Sequence, residues 1–197
     1  MAHRQQRYSS AAHHSRWICG SRRPRRRAQH VFDRKQFRCR LVPVPCCSTM
    51  KLIAVHITTS SGPVILLNIY RPGSERPTSL FFDELSAALE SVMINACPVL
   101  VGGDFNIHVQ DDKDPHARRL NQLIKSFDMM QHVHGPTHRA GQTLDLVLKF
   151  SACQLQSVTA APPGVISDHS LVDCLKLCQS DGCAAGEKST AVDYVAY

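Results

Sequence analysis

Apolar and polar positions along this chain change period several times, and each change marks an element. Leu52–Thr58 (LIAVHIT) and Val64–Tyr70 (VILLNIY) are short β-branched apolar runs on either side of Ser60–Pro63 (SSGP), the pattern of two strands joined by a turn. Arg71–Pro77 is punctuated by Pro and Gly and reads as a loop. Over Leu80–Asn95 the spacing becomes helical, with Phe81, Leu85, Ala88, Leu89 and Val92 recurring every three or four positions. Thr78 or Ser79 supplies a cap, Asp83 and Glu84 fall near the positive end of the dipole, and Cys97 and Pro98 stop the helix. Val99–Val101 is a short buried strand ended by Gly102 and Gly103. Asp114–Asp128 is a second helix with Leu120, Leu123, Ile124 and Phe127 on one face. Thr143–Phe150, Gln154–Thr159 and Ser170–Leu177 read as three further strands, with Ser167–His169 a loop. Strands interleaved with helices predict a layered α/β fold.

Residues 1–50 carry neither period. They hold 12 Lys/Arg against one acid, and Arg22–Arg27 reads RRPRRR. The other 147 residues hold 11 Lys/Arg against 15 Asp/Glu. The net charge of +7 therefore describes a basic segment joined to a mildly acidic domain, and such a segment suits nucleic acid or an import receptor. The expected organisation is a basic, disordered tail over 1–50, a folded domain over 51–177 and a flexible tail over 178–197. No apolar run approaches the roughly 18 residues of a membrane span. The nine cysteines are scattered, without a secretory signal or paired zinc-ligand spacing. Free thiols in the nucleus or cytoplasm are expected, not secretion.

Three clusters carry candidate chemistry. In Val101-Gly-Gly-Asp-Phe-Asn106, alternation along a strand puts Asp104 and Asn106 toward one site and Phe105 away from it. The glycines allow the backbone to approach a ligand, and an Asp beside an Asn suits metal binding or orientation of a water near a phosphate. In Thr143-Leu-Asp-Leu-Val-Leu148, Asp145 sits among apolar residues and needs a partner. Ser167-Asp168-His169 supplies one: Asp145 would hold the His169 imidazole and keep it protonated, while Asp168 faces a metal.

The order NIYRPG, helix, VLVGGDFN, helix, GPTHRAGQTLDLVL, SDHSLV is similar to the second half of the endonuclease/exonuclease/phosphatase family. PTHRAGQTLDLVL with SDHSLV most resembles the endonuclease domains of non-LTR retrotransposons. The resemblance runs from about Leu52 to Leu177. It implies a DNase I-like four-layered α/β sandwich of two facing sheets with helices outside, and hydrolysis of DNA phosphodiesters with Mg²⁺ or Mn²⁺. It further implies that Tyr70 contacts the phosphate, Asp104 orients the attacking water, Asn106 stabilises the transition state, and Asp145 partners His169. His169 would stabilise the phosphorane-like charge, with Asp168 and Asp104 on the metal side. Thr137 and His138 would lie in a loop near DNA without chemistry of their own.

The family also opens with a strand–helix half that carries an Asn and a Glu, the Glu being its main metal ligand. Neither motif is found before Leu52. The resemblance thus implies a partial sandwich with its N-terminal strand–helix half missing, an uncovered sheet face, and a truncated phosphodiesterase that is weakly active or inactive. The competing reading is a non-catalytic nucleic-acid-binding remnant that uses the basic segment. A phosphoinositide phosphatase of the same family fits less well with PTHRAGQTLDLV.

Overall fold

In the computed structural model of the chain, the described residues are 17–19, 30–32, 38–59, 62–150, 155–163, 167–176 and 191–195. Trp17–Cys19 (β1) and His30–Phe32 (β2) pair antiparallel as a ribbon. Then follow Arg38–Val42 (β3), Lys51–Thr59 (β4), Gly62–Tyr70 (β5), Ser79–Met93 (α1), Val99–Asp104 (β6), Pro115–Ser126 (α2), Met129–Gln131 (β7) and Asp145–Phe150 (β8). The chain closes with Leu155–Ala160 (β9), Leu171–Lys176 (β10) and Ala191–Val195 (β11). Six strands form one sheet in the order β3-β4-β5-β6-β8-β7, and three form a second in the order β11-β10-β9. Among the described strands only β5 and β6 pair in parallel, because α1 carries the chain across between them.

Alternation along the strands decides what each face of the large sheet covers. Ala54, Ile65, Leu67, Ile69, Val101, Leu146 and Leu148 pack with Phe81, Leu85 and Leu89 of α1 and Ala117, Leu120 and Ile124 of α2. The opposite face buries Val55, Ile57, Leu66, Leu100 and Val147 with Val172 of β10, and Val158 and Ala160 of β9 pack against them. A helix layer, a central sheet and a second sheet are thus three of the four layers of the DNase I-like sandwich. The uncovered face expected from the missing half is not seen: Val55 is 0 % exposed and Val147 1 %. Among the described residues the exposed large apolar side chains include Leu41 and Met130 on the two edge strands.

The expected boundary at residue 51 is corrected. β1, β2 and β3 lie inside the segment expected to be disordered, and β3 pairs with β4, Arg38 opposite Thr58 through Val42 opposite Ala54. Glu84 of α1 then clamps the linker. Its Oε1 accepts from Ser48 N and Oγ, each at 2.8 Å, and its Oε2 from Thr49 N at 3.0 Å and Oγ1 at 2.5 Å. Burial raises its carboxyl, but these bonds outweigh it and bring the group down to about 2. Similarly, β11 pairs with β10 inside the segment expected to be flexible. The Arg22–Arg27 run and residues 178–190 lie outside the described residues. Among the described residues no helix is long and apolar enough to cross a membrane.

α1 has the cap expected for it, and α2 is capped by Asp114. Thr78 Oγ1 accepts from Phe81 N at 3.3 Å, and Asp114 accepts from His116 N at 2.8 Å ahead of Pro115.

Candidate active site

Register places three of the expected residues in one row. Tyr70 at the end of β5 lies opposite Asp104 at the end of β6, and Asp104 opposite Asp145 at the start of β8. Lys51 extends the row from β4, opposite Tyr70, with its ammonium 5.7 Å from the centre of the tyrosine ring. All four share the strand parity of Val55, Leu66, Leu100 and Val147, so they line one edge of the space between the two sheets.

The turn after β6 is held from several sides. Gly103 has φ +145°, and a Cβ there would stand 1.8 Å from the Ile69 carbonyl oxygen, so only glycine lets β6 lie against β5 at this point. Asn106 adopts the left-handed region (φ 48°), which Asn tolerates. The strand therefore ends at Asp104, and the turn, instead of strand alternation, brings Asn106 back to it. Its backbone N–H donates to Asp104 Oδ1 at 3.0 Å, and its Nδ2 donates to Asp104 Oδ2 at 2.7 Å and to the Arg71 carbonyl at 2.8 Å. Asn106 thus positions Asp104 with its side-chain amide. Phe105 points away as expected and is fully buried on the helix side.

Arg71 is a buried fastener that sequence reasoning missed, although it stands in the NIYRPG motif. Its guanidinium donates to the carbonyls of Phe105 (2.7 Å), Asn106 (2.5 Å), Pro72 (2.9 Å) and Glu75 (2.6 Å). It ties the loop after β5 to the turn after β6. No periodicity marks an arginine whose partners are all backbone carbonyls.

Thr137 performs the same service for Asp145. It is fully buried, and its Oγ1 accepts from the N–H groups of Leu144 and Asp145, both at 3.0 Å. Asp145 Oδ2 accepts from His169 Nδ1 at 2.9 Å, the pairing expected from sequence. Its other oxygen, Oδ1, is buried without a hydrogen-bond partner. The hydrogen bond from His169 to Asp145 raises the imidazole's affinity for a proton. Burial opposes it, and the charges of Asp145, Asp104 and Asp168 add to it. Burial pushes the Asp104 carboxyl up to about 6, aided by Asp145 and opposed by His169 and the Asn106 hydrogen bonds.

Asp104, Asp145 and His169 bring one ligand atom each to within 4.8 Å of one another. Two buried carboxylates side by side, one with an oxygen lacking a partner, fit a divalent cation. Asp168 is placed elsewhere. It is exposed and joins His138 and His169 in a second such group, with its Oδ2 3.8 Å from His138 Nε2. The structure therefore does not bring the expected metal pair, Asp104 and Asp168, into one cluster.

Comparison with known proteins bears on the family and the fold. A family model described as endonuclease-reverse transcriptase matches residues 64–173. No curated protein matches the sequence. Among solved structures, the chain is similar to the endonuclease domain of TRAS1, a telomere-specific non-LTR retrotransposon, at 15 % identity and a TM-score of 0.62, covering 79 % of this chain and 75 % of that one. It is also similar to an endonuclease/exonuclease/phosphatase protein from Beutenbergia cavernae, at 15 % identity and a TM-score of 0.51, covering 76 % of this chain and 54 % of that one.

Proposed function

The chain belongs to the endonuclease/exonuclease/phosphatase family, in its endonuclease-reverse transcriptase branch, and from that membership we propose that it hydrolyses DNA phosphodiesters with Mg²⁺ or Mn²⁺. The observation that carries this reading is the row Tyr70–Asp104–Asp145 with His169 bonded across it. Asp104, ionised above about pH 6, takes the proton of an attacking water. Asn106 holds that carboxylate in place. His169, kept protonated by Asp145, turns Nε2–H toward a phosphate oxygen and offsets the charge that develops there. The Tyr70 hydroxyl donates to another phosphate oxygen. Asp104 and Asp145 would hold the cation, which supplies Lewis-acid stabilisation of the phosphate and leaving oxygen. A cleft of about 450 Å³ beside Asn106, bordered by Arg76, His108 and His116, gives the neighbouring nucleotide room.

Activity by this chain is weak on this reading, because among the described residues no further carboxylate joins Asp104 and Asp145 in the way one seats the metal in the family. The test is nicking of supercoiled plasmid in Mg²⁺ and in Mn²⁺. Slow nicking is expected, lost to background in Asp104→Ala and in His169→Ala. Nicking that survives both substitutions would show that these residues do not catalyse it.

A further inference from the structure

The PTHR and SDHS segments are pinned together by backbone bonds. Arg139 N donates to the Asp168 carbonyl at 2.9 Å, and Ser170 N donates to the Thr137 carbonyl at 2.7 Å. His138 and His169 are thereby an antiparallel bridge pair. Directly opposed residues in such a pair project to the same side, and the two rings meet edge to face with centroids 5.1 Å apart. Asp168 completes the group. Nothing in the proposed hydrolysis uses His138.

We propose that His138, Asp168 and His169 form a binding site for one Zn²⁺-class transition-metal cation, distinct from the Mg²⁺ position at Asp104 and Asp145. The His169 Nδ1 is held by Asp145, so Nε2 is its available atom. On His138, Nδ1 accepts from the Ala140 N–H at 3.2 Å and lies 3.3 Å from Gln142 Oε1. Metal binding at Nε2, which faces Asp168, takes the other tautomer, in which Nδ1–H gives up the Ala140 bond and donates to Gln142 Oε1. For His169 the bond to Asp145 is the outer-shell arrangement in which a histidine ligand is fixed from its other nitrogen.

Ligand atoms about 2.0–2.2 Å from a tetrahedral zinc stand roughly 3.4 Å apart. The 3.8 Å between His138 Nε2 and Asp168 Oδ2 is near this, and one ligand atom from each of the three residues lies within 4.8 Å of the others. The exposed Asp168 carboxylate has freedom to close the remainder. Two imidazoles and a carboxylate suit zinc, cobalt or nickel, whereas magnesium takes oxygen ligands. Occupancy would engage the same His169 Nε2 that serves the phosphate, so the metal would inhibit. That consequence rests on the proposed function; the binding does not.

The experiment is Co²⁺ titration of the full reduced chain, followed by absorption, with Zn²⁺ as competitor. A tetrahedral ligand-field band without thiolate-to-cobalt charge transfer is expected, which separates this site from the cysteines. His138→Ala and Asp168→Asn should each weaken binding by at least about tenfold, while Asp104→Asn leaves it nearly unchanged. His138→Gln keeps the loop's hydrogen-bonding capacity and serves if the alanine variant misfolds by circular dichroism. Wild-type affinity in the folded His138 variants, or loss of binding in Asp104→Asn alone, would overturn the site. Zn²⁺ should also suppress any Mg²⁺-dependent nicking, and His138→Gln should relieve that suppression. Tight Zn²⁺ binding without inhibition would refute the inhibitory role while leaving the site.

Discussion

Asp145 is the residue on which most of the site turns. It accepts from His169, stands beside Asp104 in register, and is itself oriented through Thr137. The raised His169 pKa has a definite sign. Its paired, protonated form contributes stability fully below the ordinary value near 6.5, and this is lost as pH rises through the higher folded value. Asp104, raised to about 6, disfavours the fold increasingly as pH climbs from the usual carboxylate range through 6. Any nicking rate should therefore rise as Asp104 ionises and fall as His169 loses its proton. In Asp145→Asn the anion beside His169 is gone. The descending limb of the pH–rate profile is expected to move to lower pH, with a loss of about 100-fold at neutral pH. An unshifted limb would remove Asp145 from this role.

At the scale of elements, α1 is tied to the sheet by more than its apolar face. Phe81, Leu85 and Leu89 pack against the sheet, and the Glu84 clamp on Ser48 and Thr49 secures the link between β3 and β4. Glu84→Ala is expected to lower stability by about 1–2 kcal/mol, since a hydrogen-bonded carboxylate at a partly solvated position contributes less than a buried one. The depressed pKa sets the window: the contribution is present above the ordinary range near 4.5 and lost as pH falls toward about 2. Urea melts of wild type and variant should differ at pH 7 and converge near pH 2. A constant difference across that range would show that packing, not charge, is what the substitution removes.

At the scale of the whole molecule, the basic segment and the sheet have to be separated at residue 38, not 51. β3 belongs to the sheet, while residues 1–37 hold ten Lys/Arg against one acid. We expect removal of 1–37 to leave the thermal transition nearly unchanged and to weaken DNA binding at low salt, with a shallower dependence on salt, because fewer counterions are released. Anisotropy titrations at several salt concentrations measure this. An unchanged affinity and slope would assign the DNA contacts to the domain instead.

Much of this was legible along the chain. Periods of two and 3.6 located β4, β5, α1, β6, α2, β8, β9 and β10 to within a few residues, because burial on one face of a strand or helix imposes those periods on sequence. The GDFN, TLDLVL and SDH motifs marked Asp104, Asn106, Asp145 and His169, because acids in apolar strands must be paired or used. β1, β2, β3, β7 and β11 were missed, being short strands whose pairing, not whose pattern, defines them. Tertiary structure alone decided that Arg71 would bind four carbonyls, that Asn106 would turn back on Asp104, and that Asp168 would stand with His138 instead of Asp104. These depend on register between strands and on bridges between loops distant in sequence, and periodicity within one element carries no information about either.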